Sequence, residues 1–519
     1  MGQPTGGDKD TEPPRVVETV PPNGTTGFSG NKILIRFDEW ITLDNPLQKI
    51  IISPPPRKKP QIKPAGYAAK QIEIRFSEPL APQTTYTVFF GDAIRDYHEG
   101  NVLENYTYVF STGDRLDSLR LQGRVVSLPD GGVPEKTVVG LYRAEGFHDS
   151  LIYSQPPYYV TRARKDGSFT FEHLAPGLYR LVAFEDQNGN FTYQPGTEKV
   201  GFIKAPVRLP AKQDYTVYLF SEPAPFRLES LEERSGEHWV ATVQGTPAGI
   251  EPVAAGKSIF HYFDPPHWHL WIWPVQKGES FELVWRKQKD TIARRTLQVT
   301  APTVDTLVMK WDKQKLYPVD SIRLLTNIPL RIEDIHQIKI FPWRKGDRFR
   351  IDEQGLAVYY PKPDRTRDTI SIRVLPRSFR TVTGIVNRDT VSTLVHIIPW
   401  EETGRLTVIW KDRPAVPVLA QLTDSKGQKI VRSVYSTEGQ RFVFPFLPPG
   451  RYRLRFVLDT NRNRRWDNGS WAAQREPEKI LFYPRPIEIR ANWEKEETFT
   501  GASITADGAR AVPKPAREH

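Results

Sequence analysis

The 519-residue chain has no cysteine and only two methionines. Without a thiol it can form no disulfide, no cysteine-ligated zinc or iron–sulfur centre and no thiol nucleophile. No apolar run reaches the roughly 18 residues that a membrane-crossing helix needs, and the opening residues lack the charged start and apolar centre of a signal peptide. Enzyme signatures are missing too. Gly256-Lys257-Ser258 matches the end of a phosphate-binding loop, but Glu251 stands where its first glycine must be. His98-Glu99 is not followed by the second histidine of a zinc-protease helix. Neither G-x-S-x-G nor a strand-following G-x-G-x-x-G occurs. Long helices are excluded by the 46 prolines, since each lacks the N–H donor and clashes with the preceding turn.

Aromatic residues make up 11 % of the chain and hydrophobic ones 38 %, enough for several cores. Charge is mixed, with 72 Lys and Arg against 61 Asp and Glu. Residues 401–519 hold 21 basic and 15 acidic side chains, a local excess of six. Such an excess favours phosphate-bearing surfaces in general. With both signs interspersed, a solvated face is the simpler reading, and no nucleic-acid partner is assigned.

Strand patterns dominate. Ile33, Ile35 and Phe37 alternate with polar neighbours, as do Ile72, Ile74 and Phe76, which fits a sheet with one buried face. Turn clusters such as Pro21-Pro22-Asn23-Gly24 and Pro54-Pro55-Pro56 separate the runs. An internal repeat follows. Leu174-Ala175-Pro176-Gly177-Leu178-Tyr179-Arg180-Leu181 returns as Leu447-Pro448-Pro449-Gly450-Arg451-Tyr452-Arg453-Leu454. Without a gap, Asp186, Asn188, Asn190 and Tyr193 then align with Asp459, Asn461, Asn463 and Trp466. One supersecondary unit therefore occurs twice.

The opening Pro4-Thr5-Gly6-Gly7, with Phe37-Asp38-Glu39, Phe90-Gly91-Asp92-Ala93-Ile94 and Phe110-Ser111-Thr112-Gly113, resembles Bacteroidota-type outer-membrane lipoproteins that carry an N-terminal SbsA-type bacterial Ig-like domain. The Gly177/Tyr179 and Gly450/Tyr452 repeats resemble the prealbumin-like, carboxypeptidase-regulatory-type sandwich of such chains. The resemblance is dense over about 1–221 and thinner beyond. It implies a lipid-anchored, surface-exposed protein of the outer membrane, although no cysteine precedes Gly2 to carry the lipid.

Four sets of residues are candidates for binding. Asp186, Asn188 and Asn190, and again Asp459, Asn461 and Asn463, place hard oxygens at alternate positions, as the first half of a calcium loop does. Position twelve holds Thr197 and Ser470 rather than glutamate, so such a site is weak unless Glu198, Asp467 or distant residues help, and the competing reading is a hairpin turn built from Asx side chains. His267 and His269, with His261 before them, would share a strand face, but spacing identifies no further metal ligand. Trp271 and Trp273 could stack on a sugar. Arg451, Arg453 and Arg455 alternate on one strand, with Arg462, Arg464 and Arg465 in the loop beyond, a basic stripe suited to carboxylate or phosphate groups on a partner.

The sequence thus predicts an all-β chain of tandem Ig-like and prealbumin-like β-sandwich modules. The expected order is a flexible linker over 1–14, an Ig-like domain over 15–116 and a prealbumin-like sandwich over 117–221. A β domain of uncertain type follows over 222–318, then a divergent second Ig-like domain over 319–402, a second prealbumin-like sandwich over 403–499 and a disordered tail over 500–519. The expected function is a non-catalytic envelope scaffold, needing no cofactor beyond a possible calcium ion. Its expected partner is an outer-membrane barrel or that barrel's assembly or export complex. The alternative is a carbohydrate-binding or adhesive surface protein.

Overall fold

The computed structural model describes residues 11–500 except 105, 223, 225 and 304–305; most of the expected linker and nearly all of the tail lie outside them. Within the described residues, 11–222 and 466–480 form one compact unit, and 224–465 with 481–500 form another. Among the described residues the regular structure is almost entirely strand, joined by one four-residue helix and three short 3-10 turns. The all-β expectation is correct, and the Pro21–Gly24 and Pro54–Pro56 clusters lie between strands as expected, while Pro252 and Pro445 lie within strands.

In the first unit, Lys32–Leu43 pairs antiparallel with Val16–Val20, Ala69–Arg75 and Ile94–Asp96. Ile51–Ser53, Thr85–Phe89 and Thr107–Ser111 make the facing sheet. Ile33, Ile35, Ile72 and Ile74 are fully buried between the sheets with Tyr108 and Phe110, so the period-two reading found the core face. The chain over 24–28 runs parallel to the last strand, with Gly24 N–H donating to Val109 O at 2.8 Å and Ser111 N–H to Thr25 O at 2.8 Å.

Residues 119–221 build one curled sheet of eight strands. Its first strand, Leu119–Ser127, pairs in parallel with its last, Tyr215–Ser221, from Gly123↔Tyr215 to Ser127↔Leu219. A Cβ on Gly123 would lie 2.1 Å from Tyr215 O, so this pairing needs glycine there. One face of the sheet encloses Leu121, Val139, Leu141, Leu181 and Leu219. The other face buries Val138, Tyr142, Phe184, Phe202 and Phe220 around Trp471.

Trp471 belongs to the segment 466–480, which the sequence reading placed inside the 403–499 sandwich. It packs in the first unit instead. Its indole N–H donates to Asp149 O at 3.0 Å, its backbone N–H to Glu222 Oε1 at 2.7 Å, and its ring meets Phe202 edge-on at 5.0 Å. Arg180 donates to Gln474 Oε1 at 2.8 Å, and Lys204 N–H to Glu476 Oε1 at 3.0 Å.

The second unit contains three sets of sheets. Strands over 227–298 form a four-stranded and a three-stranded sheet, all antiparallel, around Trp239, Trp268 and Trp285. Strands over 309–397 form sheets around Ile322, Leu324, Tyr359 and Ile372. There an early strand, Lys315–Leu316, pairs in parallel with the last, Val391–Ile397. A buried ion pair between Arg367 and Asp347, at 3.2 Å, braces that core. Asp347 also accepts from the Tyr359 hydroxyl at 2.7 Å and from the Lys362 and Arg344 N–H groups at 2.7 and 2.9 Å, so its buried charge is compensated, while Arg367 Nε has no partner. In the last set, Gly404–Trp410 pairs in parallel with Glu494–Phe499 through six successive residues, around Val408, Trp410, Leu454 and Phe456.

Candidate functional site

The two Asp-x-Asn-x-Asn loops have the same backbone. Left-handed residues fall at Gly189 and Phe191 in the first, and at Arg462 and Arg464 in the second, the equivalent positions. Asp186 Oδ1 accepts from Asn190 N–H at 3.0 Å, Asn188 Oδ1 from the same N–H at 3.0 Å, and Asn190 Oδ1 from Thr192 N–H at 2.9 Å. In the second loop Asp459 Oδ1 and Asn461 Oδ1 both accept from Asn463 N–H at 3.1 Å, and Asn463 Oδ1 from Arg465 N–H at 3.0 Å. Short Asx side chains thus satisfy the backbone amides of a tight turn.

The leading aspartates, Asp186 and Asp459, are both fully buried, yet their surroundings differ. Asp459 Oδ2 accepts from Arg464 N–H at 2.8 Å, whereas Asp186 Oδ2 is buried with no hydrogen-bond donor. Beside Asp186 lies Glu198, 3 % exposed, whose two oxygens accept from Gln187 N–H at 3.0 Å and Gln194 N–H at 2.9 Å. Burial holds the Glu198 carboxyl above its usual range, and the charge of Asp186 adds to the effect. The sequence reading named Glu198 only as one possible helper of the loop, because the template puts its carboxylate at position twelve. This one stands at thirteen.

Asp186 and Gly189 also line a cavity of about 1040 Å³ in the first unit, together with Lys49, Arg162 and Arg164. Arg162 loses hydration there, which lowers its pKa against the raising influence of Asp186 and Asp92.

The remaining candidates are scattered. His267 and His261 are exposed, and His269 pairs with a histidine that spacing did not suggest, His238 on the adjacent strand. His238 Nε2 and His269 Nδ1 are 3.2 Å apart, and the His238 ring stacks on Trp271 at 4.1 Å. Burial, and then His269 and Arg234, depress His238 to a pKa of about 4, and burial lowers His269 as well. Trp271 is 3 % exposed and has His238 against its ring. It offers no open face to a sugar, because its position on the strand faces the interior of the unit. Trp273 is half-buried.

Arg451, Arg453, Arg462, Arg464 and Arg465 are exposed. Arg455 departs from the expected stripe: it is 9 % exposed and donates to Gln421 Oε1 at 2.9 Å. Alternation put the three strand arginines on one face correctly, but around Arg455 that face is covered, with Leu419, Gln421 and Val457 all buried. Asp96, His98 and Glu99 bring ligand atoms within 4.8 Å of one another. Asp96 is engaged by the His98 and Glu99 amides at 2.8 and 2.9 Å, which makes the trio a turn.

Comparison with known proteins places residues 10–112 in a match to the family model described as bacterial Ig-like domain. No curated protein matches the chain by sequence. Among solved structures, the chain is similar to the S-layer protein rSbsC(31-844), at 10 % identity and a TM-score of 0.14, covering 86 % of this chain and 64 % of that one. It is similar to BcpA, the major pilin subunit of Bacillus cereus, at 10 % identity and a TM-score of 0.14, covering 74 % and 99 %. It is likewise similar to the Bacillus anthracis TIE protein, at 10 % identity and a TM-score of 0.14, covering 96 % and 76 %. At such scores whole chains do not superpose, and the architecture rests on the strand pairings described above. The chain is an array of Ig-like and sandwich-like β modules, with a bacterial Ig-like match at its start.

Proposed function

We propose that the chain is a non-catalytic structural protein of the cell envelope, a load-bearing row of sandwiches between an outer-membrane lipid anchor and the envelope protein or surface to which it adheres. The observation that carries this reading is the parallel pairing of an entering with a leaving strand. It is found in the sheets over 119–221, 309–397 and 404–499, and in the run of 24–28 beside 109–113. When two parallel strands are pulled from opposite ends, their hydrogen bonds are sheared together rather than opened one at a time. Each bond contributes only about 0.5–1.5 kcal/mol net, so resistance depends on loading several at once. Forced unfolding is governed by the unfolding barrier, which such geometry raises.

Residues 227–298 provide the internal control, since their described strands pair only antiparallel. These 519 residues contain no cysteine, so cysteines introduced into them are unique pulling handles. Single-molecule pulling between Asp114→Cys and Ala224→Cys should need a clearly higher force than pulling between Ala224→Cys and Thr303→Cys. Equal or reversed forces would remove the load-bearing reading.

A further inference from the structure

We propose that the loop from Asp186 to Glu198 is a calcium site, and that the corresponding loop from Asp459 is not. The argument begins with a buried oxygen. Asp186 is fully buried, and its Oδ2 has no donor, a state that is costly for a carboxylate unless a cation or donor completes it. Glu198, also buried, brings a second carboxylate to the same loop. Asn188 and Asn190 add side-chain carbonyl oxygens at alternate positions. Carboxylates combined with amide carbonyls on a flexible loop suit calcium better than magnesium, which demands strict octahedral geometry and keeps most of its water.

The neighbouring cations do not fill the role. Lys136 Nζ donates to the Gln187 carbonyl at 2.8 Å. The Arg162 guanidinium stands over the Phe191 ring at 5.7 Å and divides its charge interaction between Asp186 and Asp92. Neither supplies a donor to Asp186 Oδ2. The cavity of about 1040 Å³ that Asp186 and Gly189 line gives a hydrated ion a route to the loop.

The second loop has an equally buried aspartate and the same two asparagines, but it lacks the oxygen without a donor and the second carboxylate at position thirteen. Both oxygens of Asp459 accept backbone amides, at 3.1 and 2.8 Å. The residue equivalent to Glu198 is Trp471, and Arg462, Arg464 and Arg465 stand among the loop positions.

Calorimetric titration of the full chain with calcium chloride, after chelator treatment, tests the proposal, with thermal melting in calcium and in chelator run alongside. The expected result is one site per chain and a higher melting temperature in calcium. Glu198→Gln should weaken binding at least tenfold and Asp186→Asn should abolish it, while Asp459→Asn leaves it unchanged. If Asp186→Asn does not fold by circular dichroism, the contrast between Glu198→Gln and Asp459→Asn decides. The proposal is overturned by the absence of both heat and melting shift, by two equivalent sites, or by loss of binding in Asp459→Asn but not in Glu198→Gln.

Discussion

The two prealbumin-like repeats share a backbone plan but use one equivalent position for opposite purposes. In both, a tyrosine hydroxyl returns to the carbonyl four residues earlier, Tyr179 to Ala175 at 3.1 Å and Tyr452 to Pro448 at 2.6 Å. In both, a non-glycine residue, His173 or Phe446, adopts positive φ before the shared leucine, beside an irregularity in strand register. The repeats part at the position held by Glu198 in one and Trp471 in the other. The first is a buried charge beside a carboxylate oxygen that lacks a donor. The second is a fully buried indole within the apolar cluster of the first unit. A repeat therefore conserves its hydrogen-bonded turns, which the backbone demands, and varies the side chain that closes its long loop.

The largest way to break this comparison is Trp471→Ala. Removing a buried tryptophan costs about 3–5 kcal/mol through lost transfer energy and the cavity left behind. The loss should fall on the first unit, because Trp471 packs against Phe147, Phe202 and the cluster around Val138. Urea unfolding should show the transition of that unit moving to a lower midpoint. A shift worth less than about 1 kcal/mol would mean that 466–480 rests on the surface rather than closing the unit.

The tyrosines sharpen the comparison from the other side, since there the repeats should agree. Tyr179→Phe and Tyr452→Phe each remove one hydroxyl donor, leave the ring in place and should each cost about 1 kcal/mol. Urea midpoints for the two variants check this. A loss in one repeat alone would show that the shared motif does different work in its two copies.

Much of this scheme was legible in the sequence for physical reasons. Alternation at Ile33–Phe37 and Ile72–Phe76 reports a sheet face directly, and Pro-Gly-x-Tyr spacing encodes a corner whose hydrogen bond is local. Arg455 and Trp271 were misread because strand period gives the face of a side chain but not what lies against that face. Trp471 could not be placed for a related reason: its contacts with Phe147 and Phe202 lie some hundreds of residues away in the chain, and no local pattern records them. Glu198 was legible as a helper of the first loop, but Asp467 stood equally open for the second, and sequence spacing does not show which carboxylate is buried beside its loop.

The smallest expected effect is the pH dependence that Glu198 alone contributes. Its carboxyl is held above the ordinary 4.5 by burial first and by Asp186 as a lesser cause. In the absence of calcium the folded state then binds a proton more tightly than the unfolded chain does. Its contribution to stability is complete below 4.5 and is lost as pH rises through the raised folded value. Carboxylates of the same unit whose pKa is lowered, Asp44 and Asp166 among them, produce the opposite slope, so the informative quantity is a difference. Wild-type melting temperature in chelator should fall relative to that of Glu198→Gln as pH rises above 4.5, and added calcium, which favours the charged carboxylate, should remove the divergence. Trp471 cannot titrate, so no variant at that position should reproduce the slope. If Trp471→Phe gave the same pH-dependent divergence, the difference between the repeats would not reside in the buried charge.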